Sequence, residues 1–433
     1  MDGPVAGQPA PEASPADASE PLARVYPIGT RRADSGRLEV GGCDVVELAR
    51  EYGTPAYVYA EDDIRARARA YMDAFAARTE RFEVVYGSKA FPCTAVHRLL
   101  CAEGLACDVA SGGELFLALR GGFAPERIYM HGNNKSEAEL AFALEQRVGN
   151  IVVDSFDEID RLERMTAEAG IDQKVMLRVT PGITPTTHSY IQTGQVDSKF
   201  GFAMDHVDCA IERCRSAGRL ELTGLHAHIG SQIFDLEPYE RLAGLLARMG
   251  DYPLLNVGGG LGVAYAAEDE PPTIEDYAEA VLGGAPEGVT ILCEPGRSLV
   301  ANAGVTLYTV GTVKDVPGVR TYVAVDGGMS DNLRPMLYGA RYEAELADRP
   351  GGETVCTIAG MHCESGDILI RDVALADPRP GDVLVVPATG AYGHAMASNY
   401  NAVTRPPVIF CAGGDARVVV RRETYEDLAL REL

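Results

Sequence analysis

The sequence has no pair of cysteines at C-x-x-C spacing, although it contains ten cysteines. Structural zinc sites usually draw their ligands from such pairs, so we expect no bound metal. No run of about 18 apolar residues occurs, so no membrane span is expected. The N-terminus lacks the apolar core of a signal peptide. We therefore expect a cytoplasmic protein whose cysteines are mostly reduced, buried hydrophobes.

Positive charge is scarce, because 39 Lys and Arg stand against 63 Asp and Glu and give a formal net charge of −24. A surface this acidic repels nucleic acid and anionic lipid, so neither is expected as a partner. Hydrophobic residues make up 46% and charged residues 24% of the chain, as in globular proteins. A length of 433 residues predicts two domains.

Strand-like and helix-like segments alternate through the first two thirds of the chain. Eight strands are predicted, in FEVVYGSKA, LACDVAS, RIYMHG, NIVVDS, KVMLRVTPG, LTGLHAHIGS, LLNVGGG and VTILCEPGR. This alternation is typical of βαβ units, and eight such units close a TIM-type (β/α)8 barrel. Two of the helices begin with capping-box spacing, Ser136 with Glu139 and Ser155 with Glu158.

The segments outside the barrel have other textures. Residues 1–22 are rich in Pro, Ala, Ser, Asp and Glu and are predicted to be a disordered tail. Residues 23–59 form a segment that we expect to join the β domain, and residues 60–300 form the barrel. From 301 to 433, β-branched runs separated by Gly, Asp and Pro predict a C-terminal antiparallel β domain. The predicted fold class is therefore α/β, a (β/α)8 barrel plus this β domain.

Chemistry in such a barrel lies at the C-terminal ends of its strands. Every predicted end carries an ionisable residue or glycine: Lys89, Asp108, His131, Asp154, Arg178, His226 with His228 and Ser231, Gly258–Gly260, and Glu294 with Arg297. Lys89 follows a buried strand, where partial desolvation would favour a neutral amine that attacks an aldehyde. A solvated surface lysine is the ordinary alternative, and the other strand ends argue against it.

Strands seven and eight form the usual phosphate corner of this fold. The glycines of GGGLG let backbone amides approach an anion, and the guanidinium of Arg297 can fork onto phosphate oxygens. Ser231 can add a hydroxyl, Glu294 can pair with a protonated pyridine nitrogen, and His228 can stack on a ring. An ordinary glycine turn and a satisfied core histidine are the alternatives. A dinucleotide site is disfavoured, because the spacing is not G-x-G-x-x-G.

Eight motifs in consistent order resemble the diaminopimelate decarboxylase family, in the alanine-racemase-like (fold type III) group of pyridoxal-phosphate (PLP) enzymes. They are YGSKAF, HGNNKS, HAHIGSQ, GGGLG, CEPGRSLV, DGGMSDNLRPMLYGA, HCESGDI and GAYGHAMASNYN. The likeness runs from about Val25 to the C-terminus. It implies decarboxylation of meso-2,6-diaminopimelate to L-lysine and CO2 in lysine biosynthesis, with PLP as cofactor.

The resemblance also implies a role for each matching residue. Lys89 would hold the cofactor as a Schiff base, and Cys363 would donate the proton that replaces the lost carboxylate. The other expected cofactor contacts are Asp108, His228, Ser231, Gly259, Gly260, Glu294, Gly296, Arg297 and Tyr392. The expected substrate contacts are Arg297, Arg334, Tyr338, Glu364 and Tyr392. The CES segment would reach into the partner subunit's site, so a homodimer is implied.

Some features leave other readings open. The stretches on either side of GGGLG are shorter than the family leads us to expect, and Asn256 stands where aspartate is common. A related decarboxylase acting on another diamino acid or a carrier-bound amino acid therefore remains an alternative. A non-catalytic PLP-binding homologue is disfavoured, because Lys89 and Cys363 are both present. For Cys363 the ordinary alternative is an inert, buried thiol.

Overall fold

A computed structural model describes residues 24–183 and 198–433, so the predicted tail at residues 1–22 lies outside the described residues. The first described elements are β1 (Arg31–Arg32), β2 (Leu38–Val40), β3 (Cys43–Asp44), α1 (Val45–Tyr52) and β4 (Ala56–Ala60). Strands β1 to β3 form a small sheet of their own, whereas β4 joins the sheet of the C-terminal region. In the described part of the chain, no helix is long and apolar enough to cross a membrane.

Eight parallel strands form a closed barrel, as the alternating pattern predicts. Strand β9 pairs with both β8 and β11, and this pairing closes the ring. The strands, with the short β10 attached to β9, are β5 (Phe82–Gly87), β6 (Ala106–Val109), β7 (Ile128–Met130), β8 (Asn150–Val153), β9 (Gln173–Thr180), β10 (Phe202–Ala203), β11 (Leu220–His226), β12 (Leu254–Asn256) and β13 (Thr290–Cys293).

Helices cover the outside of the barrel and bury their apolar faces on the strands. They are α2 (Glu61–Ala76), α3 (Thr94–Ala102), α4 (Gly112–Gly121), α5 (Glu137–Gln146), α6 (Phe156–Ala169), α7 (Val207–Ser216), α8 (Glu237–Ala247) and α9 (Ile274–Gly283), followed by the short α10 (Arg297–Val300). Helix α5 begins with the predicted capping box of Ser136 and Glu139. At α6, the Ser155 side chain accepts from the Glu158 backbone N–H. The predicted capping box is wrong here, because the Glu158 side chain makes no return bond to the Ser155 backbone N–H.

A layer of side chains fills the barrel interior beneath the strand ends. It consists of Val85, Ala106, Tyr129, Val152, Met176 and Leu292, all almost fully buried, with Leu254 packed against it. Because these side chains occlude the centre, the barrel is a packed core and not a pore. Polar side chains at the C-terminal strand ends therefore lie on a solid floor and face the opening above it.

The C-terminal region is a mostly antiparallel sheet, in agreement with the predicted fold class. Its elements are β14 (Gly304–Val316), β15 (Arg320–Val325), α11 (Arg334–Tyr338), β16 (Glu345–Leu346), β17 (Thr354–Ala359), β18 (Ile368–Leu375), β19 (Val383–Val386), β20 (Val408–Ala412), β21 (Asp415–Val420) and α12 (Tyr425–Ala429). Two of its strand pairs are parallel, β15 with β17 and β4 with β20. Strand β4 also pairs with β14, and the domain boundaries at residues 60 and 300 stay predictions.

Candidate active site

A cavity of about 420 Å³ opens at the C-terminal mouth of the barrel. It is lined by Lys89, His228, Ser231, Gln232, Tyr265, Asp269, Arg297, Arg334, Tyr338, Ala340, Arg341 and Tyr392. A smaller space of about 30 Å³ adjoins it and adds Asp108, Gly259, Gly260, Glu294 and Gly296 to the lining. The structure therefore brings together every residue predicted for the site except Cys363 and Glu364.

Lys89 lies on the turn that follows β5, and its side chain lines both cavities. The prediction that this lysine is partly desolvated is wrong, because the residue is exposed while its neighbours Ser88 and Ala90 are fully buried. The turn anchors itself through those neighbours and leaves the lysine at the open mouth. Tyr392 is tied to the same turn, since its backbone N–H donates to the Ala90 carbonyl at 2.8 Å.

The glycine turn after β12 packs directly against the end of β13. A Cβ at Gly259 would lie 2.0 Å from the Glu294 carbonyl oxygen, so only glycine fits there. Gly260 has a φ of +118°, a conformation that L side chains rarely adopt. Because both positions are glycine, no side chain covers the backbone beside the small cavity. An anion can therefore approach the backbone there.

Arg297 is buried beside this turn, and its guanidinium is held from two sides. Its Nη2 and Nε donate to Ser231 Oγ at 2.8 and 3.3 Å, and its Nη1 donates to the Tyr265 hydroxyl at 2.6 Å. The guanidinium also lies 4.8 Å from the centre of the Tyr392 ring. A fixed, desolvated guanidinium with a hydroxyl beside it is suited to bind phosphate or carboxylate oxygens.

Glu294 lies at the end of β13 with nitrogen atoms around its carboxylate. Asn256 Nδ2 donates to Oε1 at 2.7 Å, and His226 Nε2 lies 3.1 Å from Oε2. His131 Nε2 lies 2.9 Å from Oε1. Burial opposes ionisation, but His131 and His226 hold the pKa of Glu294 well below its usual range. The carboxylate is therefore a fixed anion, and it lines the small cavity.

Asp108 is buried near the same cluster, 3.9 Å from His131 Nε2. Burial raises the pKa of Asp108 to about 6, and the charge of Glu294 adds to this effect. Two carboxylates that share His131 as a neighbour in a buried space cannot both ionise easily. Because the pKa of Asp108 is raised and that of Glu294 is lowered, Glu294 is the carboxylate that stays ionised.

His228 is a neutral ring in the wall of the cavity. Its Nδ1 accepts a hydrogen bond from the Gly259 backbone N–H at 3.2 Å, so that nitrogen carries no proton. Burial is the main cause that lowers the pKa of His228 well below 6.5, and the nearby charges of Lys89 and Arg178 act in the same direction. A neutral imidazole beside Lys89 offers a flat face against which an aromatic ring can stack.

Arg334, at the start of α11, forms the second cationic wall of the cavity. Its guanidinium lies 4.4 Å from the centre of the Tyr265 ring, and its Nη1 donates to the Tyr342 hydroxyl. Tyr338 lines the cavity one turn further along the same helix. Tyr265 thus contacts both Arg297 and Arg334, so one aromatic residue keeps the two cations apart in a single cavity.

Cys363 and Glu364 do not line either cavity of this chain. Cys363 is exposed, which rules out the inert, buried thiol, and its backbone N–H donates to Asn401 Oδ1 at 3.1 Å. The Tyr400 hydroxyl donates to Glu364. Seven of the ten cysteines are buried and all ten are free, as expected from the sequence.

Sequence reasoning missed Tyr265 and Tyr342 as parts of the site. Both residues contact arginines that are distant in the chain, and hydrophobic periodicity carries no information about such contacts. The one available signal was position, because Tyr265 follows the glycine turn by only a few residues. His131 was predicted at a strand end, but its contact with Glu294 was not.

Comparisons with known proteins agree with this geometry. The family model for the pyridoxal-dependent decarboxylase, pyridoxal binding domain, matches residues 61–301. A diaminopimelate decarboxylase from Bacillus subtilis is 48% identical over 93% of this chain and 97% of the relative. One from Mycobacterium tuberculosis is 43% identical over 94% of this chain and 98% of the relative.

Solved structures give the same result. A crystal structure of diaminopimelate decarboxylase from M. jannaschii in complex with L-lysine is similar to this chain with a TM-score of 0.88. It has 33% sequence identity, over 93% of this chain and 97% of that one. The enzyme from Helicobacter pylori, also complexed with L-lysine, gives a TM-score of 0.85 at 33% identity, over 90% of this chain and 99% of that one.

Proposed function

The chain belongs to the diaminopimelate decarboxylase family of pyridoxal-dependent decarboxylases, and we propose that it converts meso-2,6-diaminopimelate to L-lysine and CO2. The observation that carries the proposal is the single cavity lined by Lys89, Arg297 and Arg334. This cavity contains an amine that can react with an aldehyde, and it also contains two separate cations. Relatives named for this activity, and structures of two of them with L-lysine, support the substrate.

The residues present fit PLP. The Gly259 backbone leaves no room for a Cβ, and Arg297 with Ser231 supplies donors for a phosphate. Glu294 supplies the anion that a protonated pyridine nitrogen requires. The exposed Lys89 lines the small cavity together with these residues. An anion-binding corner, an amine and a carboxylate are the donor set that this cofactor needs.

We assign the attachment and orientation of PLP to five residues. Lys89 Nζ would hold its aldehyde carbon as a Schiff base, and His228 would stack on its ring. Gly260 and Arg297 would hold the phosphate group, and Glu294 would bind the ring nitrogen. Asp108, Ser231, Gly259, Gly296 and Tyr392 complete the proposed contacts. When bound, PLP supplies an electron sink for the electron pair left at the α-carbon as the bond to the carboxylate breaks.

The substrate has an ammonium and a carboxylate at each end. Arg334, with Tyr338, is proposed to bind the distal carboxylate, while Arg297, which lines both cavities together with Lys89, supplies the other positive charge. Because Tyr265 contacts both guanidinium groups, the spacing of the two cations is fixed before substrate arrives. A preorganised pair of this kind selects substrates that carry a second carboxylate, because a buried cation left unpaired is costly.

The site is proposed to be completed by a second copy of the chain. Glu364 of the partner subunit would bind the distal ammonium, and Cys363 of the partner subunit would donate the proton to the α-carbon. The exposure of Cys363, and the position of both residues outside the cavities of their own chain, support this arrangement. A thiol is a suitable donor, because it carries a proton that it can pass to a carbanion.

The test is a CO2-release assay with a panel of amino acids and the purified, PLP-loaded protein. We expect release from meso-2,6-diaminopimelate and little from lysine or ornithine, neither of which has a carboxylate for Arg334. Borohydride reduction followed by peptide mass analysis should attach the cofactor to Lys89. Release from another diamino acid alone would overturn the substrate and keep the chemistry. A protein without a cofactor absorbance band would overturn both.

A further inference from the structure

The loop between β17 and β18 carries the two residues that are proposed to act in the partner subunit's site. Its middle residues, 363–366, are all exposed, whereas His362 and Asp367 on either side are only 7% and 2% exposed. The Gly360 backbone N–H donates to the Asp367 carbonyl at 2.9 Å and closes the base of the loop. The exposed tip therefore projects from a buried support.

The Asp367 carboxylate is the centre of this support. Its Oδ2 accepts from the His362 backbone N–H at 2.9 Å and lies 2.8 Å from His362 Nδ1, and its Oδ1 accepts from the Met329 backbone N–H at 2.7 Å. A carboxylate can only accept, so Nδ1 carries the proton of the imidazole. A Cβ at Gly328 or Gly360 would lie within 2.5 Å of Oδ2, so the carboxylate also packs closely against the backbone. Three donors and close packing therefore fix its position.

The contacts of His362 extend this support to the exposed residues. Its ring stacks on Tyr400, with the ring centres 5.8 Å apart, and the Tyr400 hydroxyl donates to Glu364. The His362 carbonyl accepts from the Glu364 backbone N–H at 2.7 Å, and Asn401 Oδ1 accepts from the Cys363 N–H at 3.1 Å. A shift of His362 would therefore move Glu364 and also Cys363, which lies between them in the chain.

We propose that Asp367 is a positioning residue that holds Cys363 and Glu364 in the geometry that the partner subunit's site requires. The inference rests on the proposed function, because that function assigns both residues to a shared site. Asp367 lines neither cavity of the site in its own chain. Its effect on the reaction is therefore expected in the site of the other subunit.

The bond from Asp367 to the Met329 backbone offers a competing route. Met329 lies five residues before Arg334, so Asp367 could also act on the cavity of its own chain. That segment has an anchor of its own, because Asp331 Oδ1 accepts from the Gly328 backbone N–H at 2.8 Å. We therefore expect the loss of Asp367 to disturb the exposed loop more than the segment before Arg334.

The experiment mixes subunits that carry Asp367→Ala with subunits that carry Lys89→Ala. Asp367→Ala alone should lose about 10- to 100-fold in kcat/KM, because a displacement of about 1 Å can cost that much. In a mixed dimer, the site that keeps Lys89 receives its exposed loop from the subunit whose Asp367 is intact. Half of the dimers in an equal mixture are mixed, so activity should recover to about a quarter of the wild-type value.

Two controls separate this recovery from other effects. In the first, Asp367→Ala is mixed with a double variant, Lys89→Ala with Asp367→Ala. No intact loop then faces a site that keeps Lys89, so activity should stay at the residual level. The second control is Asp382→Ala, which also removes a carboxylate of the C-terminal domain that accepts from a backbone N–H at 2.7 Å. It should keep kcat/KM within twofold of the wild type.

His362→Phe makes the same test if Asp367→Ala fails to fold or to assemble. It keeps a ring against Tyr400 but removes the bond from Nδ1 to Asp367. In the part of the chain that the structure describes, His362 Nε2 has no hydrogen-bond partner, so the side chain loses only that one bond. We expect a loss of about 3- to 10-fold in kcat/KM and the same recovery with Lys89→Ala.

The mixture of Cys363→Ala with Lys89→Ala shows which proposal fails. If that mixture recovers and the Asp367→Ala mixture does not, the inference is overturned and the shared site stands. If neither recovers, the shared site is wrong and the inference falls with it. Wild-type kcat/KM in Asp367→Ala, or an equal loss in Asp382→Ala, would also overturn the inference. The assay uses the amino acid that the wild type decarboxylates best, so a wrong substrate assignment leaves the comparison unchanged.

Discussion

Lys135 and Glu158 form a buried ion pair beside the ends of β7 and β8, with Nζ 2.6 Å from Oε1. The lysine also donates to the carbonyls of Gly132 and Val152, both at 2.7 Å. Glu158 Oε2 accepts from the Asp154 backbone N–H at 2.9 Å. The pair therefore satisfies backbone groups at the ends of β7 and β8, and this explains why Glu158 makes no return bond to Ser155.

Lys135→Met should lower the free energy of unfolding by about 3–5 kcal/mol, because it leaves Glu158 as an uncompensated buried charge. Urea unfolding measures the loss. The double variant Lys135→Met with Glu158→Gln should recover most of it, since a glutamine can accept from Asp154 and donate to the carbonyl that the lysine leaves. If the single variant loses less than about 1 kcal/mol, the pair is not a stabilising element.

Complementation tests the shared site. Lys89→Ala should be inactive alone, because it lacks the amine that would hold the cofactor. Cys363→Ala should be almost inactive alone, because a lost acid catalyst costs about 10²–10⁴-fold. In an equal mixture that exchanges subunits, about half of the dimers are mixed, and each has one complete site of two. The mixture should then show about a quarter of wild-type activity. Cys209→Ala, at the second exposed cysteine, should keep full activity. A mixture that stays inactive would place Cys363 in the site of its own chain.

Arg334→Met should lower kcat/KM for diaminopimelate by about 10²-fold or more, because the distal carboxylate loses a buried, charge-assisted partner. PLP affinity should stay within twofold of wild type, since Arg334 is absent from the smaller cavity that holds the phosphate corner. Arg379→Met is the control, as this arginine pairs with Asp377 on the surface. An equal loss of PLP affinity in Arg334→Met would assign the residue to the cofactor and not to the substrate.

The sequence predicted the barrel because eight buried strands alternate with capped helices, and local patterns determine both. It also predicted that the residues at the strand ends lie together, because the C-terminal ends of parallel strands all lie at the same mouth of the barrel. It failed at Lys89, whose exposure depends on how Ser88 and Ala90 anchor the turn. It also missed Tyr265, since contacts between residues distant in the chain follow from packing and leave no periodic signal.

Acid should destabilise the protein through His97, which supports the turn that carries Lys89. His97 is fully buried, and its Nε2 lies 3.0 Å from Ser88 Oγ, the hydroxyl next to Lys89 in the chain. Its ring also packs edge-on against Tyr86 and Phe123. Burial lowers the pKa of His97 from 6.5 to about 4. Between these values the unfolded chain binds a proton that the folded protein excludes, so stability falls as the pH drops below 6.5.

His97→Gln removes this proton uptake while keeping a polar group for Ser88. The pH-dependent loss of stability between pH 7.5 and 4.5 should therefore be about 2–3 kcal/mol smaller in the variant than in the wild type. Urea unfolding at the two pH values measures the difference, and His206→Gln, at an exposed position, controls for the loss of a surface histidine. Because Ser88 precedes Lys89, the wild type should also release PLP before it unfolds on acidification. Identical pH dependence in His97→Gln and wild type would mean that His97 takes up its proton without loosening the turn.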